Sequence, residues 1–167
     1  SALPKVTSVK DAFSWIEWQV DALGGQPVFD NIASRMSTTA CSLTTAFSGI
    51  GAPEMGLHML AHVVSKRVGS HCGFENRAAI EWNQFCRGDL MHNPHPLRPG
   101  HLFVDVNEFI NPLVRGNVFA KIDAGISFEE LWELLLAPGV VTTEASCKTC
   151  GKTCSYPHSA CHVSGSP

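Results

Sequence analysis

Apolar positions recur at helical spacing over residues 11–25, DAFSWIEWQVDALGG, where Phe13, Ile16, Val20 and Leu23 share a face and two glycines end the run. CSLTTAFS, at 41–48, carries two threonines and Phe47 and reads as the first core strand, running into a glycine turn. PEMGLHMLAHVVSKRV, at 53–68, opens with Pro and Glu, both favourable at a helix N-terminus. Met55, Met59, Leu60, Val63 and Val64 give it an apolar face. RAAIEW (77–82) predicts a second strand, with NQFCRGDLMH behind it as a helix, and HLFVDV (101–106) a third strand ending in an acid. ISFEELWELLLAPG (126–139) pairs Ser127 with Glu130 in a capping-box pattern and stops at Pro138-Gly139. ACHVSGSP (160–167) predicts a fourth strand.

Strands alternating with helices predict an α/β protein with a parallel-rich sheet covered on both faces, a Rossmann-like arrangement. Ligands in such sheets bind at the carboxyl ends of the strands. Gly49, Gly51, Glu81, Asp105 and Ser166 all fall there.

Composition narrows the picture without naming a partner. The chain has 167 residues, enough for one domain with its own core; 44% are hydrophobic, 16% are charged and the formal charge is −3, an ordinary globular balance. The longest basic cluster is Lys66-Arg67, so contact with a polyanion must come from a local patch or from residues outside this chain. No run of 18 apolar residues exists, so no membrane span is expected, and no charged-then-apolar pattern near Ser1 leads one to expect a secretory signal. Seven cysteines are an odd number, and Cys41, Cys72 and Cys86 are scattered in apolar or helical context. That usage fits reduced thiols and a nuclear or cytoplasmic setting.

A Gly-x-G turn after a strand can be merely a tight turn. Here Glu81 ends the next strand, thirty residues beyond Gly51, where a carboxylate can accept both hydroxyls of a ribose. Trp82 beside it offers a flat face for an adenine, and Asp105 can accept an exocyclic amine. A pyridine dinucleotide fits less well, because Glu54 stands where the fingerprint wants its third glycine and the acid comes later than about twenty residues on. A carboxylate at the helix start also disfavours a pyrophosphate.

These residues resemble a known family. TAFSGIGAPEMGL is similar to the first motif of cytosine-C5 DNA methyltransferases, AAIEWNQFC to their second and VDVNEF to their third, while CHVSGSP resembles the strand entering the fourth. The resemblance implies a class I S-adenosylmethionine-dependent methyltransferase fold, truncated, with S-adenosylmethionine bound by Phe47, Ser48, Gly49, Ile50, Gly51, Glu81, Trp82, Asp105, Val106, Ser166 and Pro167. It implies a partial methyltransferase domain at 41–167 with an insertion at about 111–158 that includes a Cys-rich loop, preceded by an N-terminal helical flank at 1–40. It implies methyl transfer to C5 of cytosine in DNA, contacted through parts of the parent protein outside this sequence. The nucleophilic Cys of the family is expected just after Pro167, so no catalytic residue is assigned here. A catalytically silent domain of the same fold, serving binding or regulation, and a nicotinamide-dependent oxidoreductase are the alternatives.

CKTCGKTCSYPHSACH, at 147–162, holds a second candidate. Cys147, Cys150, Cys154 and His158 can form a tetrahedral structural zinc site, a reading that stands beside a reduced thiol-rich loop and disulfides. Cys161 and His162 belong to the fourth strand. His58, His62, His92 and His95 read as surface or satisfied core groups, and Trp15, Trp18 and Trp132 as helix packing.

Overall fold

Ser8 caps the first helix by accepting the Asp11 N–H, and two glycines with positive φ, Gly24 and Gly25, end it. The computed structural model describes residues 5–38, 41–47 and 49–164. Helix α1 spans Val9–Ala22; Leu23, expected on its buried face, sits at its C-cap and is 74% exposed. The two glycines do not only stop α1, because α2 (Gln26–Thr38) begins directly after them. Val28, Phe29, Ile32, Ala33 and Met36 give that helix its apolar face, and Phe29 is fully buried.

Both helices pack on α3 (Ala52–Val68), which contributes Ala61, Val63 and Val64 to a shared core. Burial of side chains the size of Phe29 or Val64 stabilises the assembly by about 1.5–3 kcal/mol each. Arg67 of α3 adds ion pairs to Glu17 at 3.1 Å and Asp21 at 3.4 Å and lies over the Phe29 ring. These pairs are partly exposed and contribute little energy. They do engage the larger cation of the Lys66-Arg67 cluster within the protein, which leaves it a poor handle for a polyanion.

The sheet contains β1 (Cys41–Ala46), β2 (Phe74–Ile80), β3 (His101–Phe103), β4 (Glu144–Cys147), β5 (Lys152–Ser155) and β6 (Cys161–Ser164), in the order β5-β4-β3-β2-β1-β6. The pairs β1–β2, β2–β3 and β1–β6 are parallel, so the four expected strands form one parallel unit with their carboxyl ends on one edge. The order β3-β2-β1-β6 matches one half and the switch point of a doubly wound sheet. The molecule is therefore α/β with a mixed, mostly parallel sheet, consistent with a Rossmann-like fold. No helix among the described residues is long and apolar enough to cross a membrane.

Period-2 alternation sends side chains of one strand to two different layers. Ala79 and Leu102 pack with Leu90 of α4 (Gln84–His92) on one side. Ala46, Ala78, Ile80 and Phe103 face the other side, where Phe109, Cys154 and Tyr156 rather than a helix pack against them. The expectation of helices on both faces is corrected there. Helices α5 (Pro112–Asp123) and α6 (Phe128–Leu136) stand at the periphery: Val118 is the buried residue of α5 and α6 buries none. The capping box of Ser127 and Glu130 is present as expected. Trp132, read as a packing residue, is 55% exposed and stacks on Phe128.

Two further expectations change. The third strand stops at Phe103, because the chain turns at Asp105 into a single 3-10 turn at Val106–Phe109. The Cys-rich stretch read as a loop is the antiparallel hairpin β4–β5, reversed at Gly151 (φ 67°), whose N–H donates to the Cys147 carbonyl at 2.9 Å.

Candidate functional site

Three backbone segments leave the carboxyl edge of the parallel unit side by side, and hydrogen bonds tie them together. The Phe47 N–H donates to the Ile80 carbonyl at 2.7 Å and the Glu81 N–H to the Phe103 carbonyl at 3.0 Å. Phe47 has φ 56°, a left-handed conformation rare for a bulky residue, and it opens the turn that continues through Gly49 and Gly51. Glu81 is buried, with one carboxylate oxygen accepting the Gly49 N–H at 2.7 Å and the other the Asn83 N–H at 2.8 Å. A carboxylate has about four acceptor positions, so each oxygen keeps capacity for a further donor.

The expected residues divide by role. Trp82 is 65% exposed at the end of β2, and Ile50 and Val106 are exposed apolar side chains after β1 and β3. Arg87 donates to the carbonyls of Glu81 and Trp82 and steadies the segment that carries them. Asp105 is a helix cap as well as a strand-end acid, since one of its oxygens accepts the Asn107 N–H at 2.8 Å. Ser48, Ser166 and Pro167 lie outside the described residues.

The two glycines do different work. A side chain at Gly49 would meet no protein atom within 4 Å, whereas one at Gly51 (φ 97°) would come within 3.1 Å of the Asn93 amide and 3.3 Å of Leu90. Gly51 is thus required by its left-handed position at the start of α3 and by the closeness of α4. Gly49 is the glycine that borders open space.

Glu54 corrects an expectation about charge. Its side chain is fully buried and accepts the Thr45 hydroxyl at 2.7 Å through one oxygen, while the other has no hydrogen-bond partner. Burial pushes its carboxyl above the ordinary range, with hydrogen bonds from Thr45 and neighbouring groups opposing that shift only in part. It cannot repel a pyrophosphate in the way a solvent-facing carboxylate would. Pro53, in the first turn of α3, acts instead, because it removes one of the backbone donors that an anion would need.

Beside the strand ends lies a mostly apolar cavity of about 370 Å³ that the sequence did not indicate. Ala46, Ile80, Val106, Phe109, Tyr156 and His162 are among its lining residues. Its size is in the range of small-molecule pockets. Phe109 stands edge-to-face to Phe103 and to Tyr156, with ring centroids 5.2 and 5.5 Å apart, and Phe109 and Tyr156 wall this side of the cavity. Thr44 fixes β6 against β1 by hydrogen bonds to His162 Nδ1 at 2.9 Å and to the Ser159 hydroxyl at 2.7 Å.

At the opposite, amino end of the strands, a cavity of about 340 Å³ is lined by His58, His62, His71 and His95. Their convergence was not visible in the spacing. Among the described residues their nitrogens do not meet the distances of a metal-ligand group.

One group does meet them. His101, Cys147, Cys150 and Cys154 place one potential ligand atom each within 4.8 Å of all the others, an arrangement that can hold a metal ion. His101 Nδ1 lies 3.6 Å from the Cys147 Sγ and 3.5 Å from the Cys150 Sγ. The three expected cysteines come together, but the imidazole is His101 rather than His158. His158 is held elsewhere, its carbonyl accepting from Arg77 at 2.9 Å. Burial alone would raise the Cys147 thiol, yet donation from the Cys150 and Leu102 backbone, His101 and Cys150 outweighs it and brings the thiol down to about 6. Burial and the neighbouring Cys150 and Cys147 push Cys154 up to about 11.

No protein-family model matches the chain, and no curated protein matches it.

Proposed function

We propose that this chain binds S-adenosylmethionine at the carboxyl ends of β1, β2 and β3, as the cofactor-binding part of a DNA cytosine-C5 methyltransferase. The observation that carries the reading is the contact between Gly49 and Glu81, which brings the glycine turn and the acid of the second motif into one site. Glu81 keeps acceptor capacity for the ribose hydroxyls while it holds the turn. Trp82 presents an unshielded ring on which an adenine can stack, and Asp105 supplies an acceptor for the adenine amine. The apolar cavity beside Val106 is roomy enough for the remainder of a small ligand.

The cofactor supplies an electrophilic methyl group on a sulfonium centre. This chain's residues bind and orient it; the thiol that adds to the target base in the family follows the Gly-x-Pro step of the fourth motif and is not assigned to any residue here. DNA contact belongs to other parts of the parent protein, in keeping with the engagement of Arg67 by Glu17 and Asp21. A nicotinamide dinucleotide is disfavoured by Pro53, which weakens the helix N-terminus as a pyrophosphate site. Calorimetric titration of the chain with S-adenosylhomocysteine and with NAD tests the reading. Saturable binding of the first alone supports it, and binding of NAD alone, or of neither, overturns it.

A further inference from the structure

We propose that His101, Cys147, Cys150 and Cys154 bind one zinc ion that staples the β4–β5 hairpin to the parallel sheet. The argument begins with distances. A tetrahedral ion with Zn–S near 2.3 Å and Zn–N near 2.0–2.1 Å separates a sulfur from a nitrogen ligand by about 3.6 Å. The two sulfur-to-nitrogen separations measured from His101 Nδ1 are 3.6 and 3.5 Å. All four ligand atoms lie within 4.8 Å of one another, and a compact set of three thiols and one imidazole suits zinc better than a hard cation.

The backbone is arranged for the same end. Cys147 closes β4, Cys150 lies in the turn, Gly151 takes the left-handed conformation that reverses the chain, and Cys154 returns on β5. His101 comes from the first residue of β3, and its ring stacks on Phe103 at 6.3 Å, which fixes its direction. Four protein ligands close the coordination shell, so the ion is structural rather than catalytic.

The hairpin needs such a tie. Its register with β3 rests on the single pair Phe103 and Cys147, supplemented by the Lys148 N–H donating to the Leu102 carbonyl at 2.7 Å. Two short strands of four residues each are marginal on their own. The segment leaving β5 carries Tyr156, which walls the cavity at the strand ends, so the ion also sets the shape of that cavity.

The test is cobalt titration of the reduced, chelator-treated chain, followed by zinc competition. The expected result is one cobalt ion per chain with the visible bands of a tetrahedral thiolate site, displaced by zinc. Cys150→Ser and His101→Ala should each lower the affinity at least tenfold, and His158→Ala should leave it unchanged. Cys150 is exposed in the turn, so its replacement removes no core packing. Absence of the tetrahedral spectrum, binding indifferent to either Cys150→Ser or His101→Ala, or binding lost in His158→Ala overturns the proposal.

Discussion

The backbone N–H of Gly49 donates to the Glu81 carboxylate at 2.7 Å, across 32 positions of chain. The same carboxylate accepts the Asn83 N–H, so it joins the turn after β1 to the start of the segment leading into α4. Glu81→Ala should therefore act in two ways. It leaves two backbone donors unpaired and should lower stability by roughly 1–3 kcal/mol in chemical denaturation. In variants still folded, S-adenosylhomocysteine affinity should fall by about 1.5–3 kcal/mol, the range for hydrogen bonds to a charged group. Unchanged values for both would remove Glu81 from the site.

Gly49→Ala and Gly51→Val should separate conformation from ligand space. The first costs about 1–2 kcal/mol for a left-handed Cβ but meets no protein atom, so its effect on binding reports on what fills the space outside. The second adds contact with Asn93 and Leu90 to the same strain and should unfold more readily at any ligand concentration. Thermal melts of the two variants check the order. Equal melting temperatures would contradict the packing assigned to Gly51.

Glu54 predicts a pH dependence. Its folded carboxyl is harder to ionise than the ordinary value of 4.5, so the folded state holds its proton more tightly than the unfolded chain does. The stability associated with that proton is fully present below the ordinary value and is lost as pH rises through the raised folded value. Glu54→Gln keeps an acceptor for the Thr45 hydroxyl and removes the ionisation. Denaturation across mildly acidic to neutral pH should show this variant gaining on the parent as pH rises. A constant difference would mean that Glu54 does not titrate in that window.

The parallel unit was legible because its signals are local. CSLTTA and RAAI carry strand chemistry, Pro53 and Gly69 bound α3, and Glu81 and Asp105 follow strand ends whatever the remaining topology. Helix α2 is not among the elements the sequence reading assigns: Val28, Phe29, Ile32, Ala33 and Met36 have helical spacing, but the pair Gly24-Gly25 reads as a stop rather than as a corner between helices. Helix α5 carries Gly116 and spreads its apolar residues around the axis, so no face announces it. His101 could not be found by spacing. It reaches the cysteines 46 positions later only because β4 pairs antiparallel to β3, a tertiary contact that no local pattern encodes. The histidines around the cavity at the amino end share this difficulty, since they come from α3, the loop before β2 and the Pro-rich loop before β3.

Trp82 gives the cleanest probe of the proposed cofactor site, because it is 65% exposed and its removal disturbs no core. Surface replacements of this kind change stability by no more than about 0.5 kcal/mol. The deciding measurement is calorimetric titration of S-adenosylhomocysteine into the parent chain and into Trp82→Ala. The account predicts saturable binding by the parent and an affinity lower by about 0.5–1.5 kcal/mol in the variant, the contribution of an aromatic stacking contact. Equal affinities would contradict the stacking role, and no binding by the folded parent would contradict the site itself.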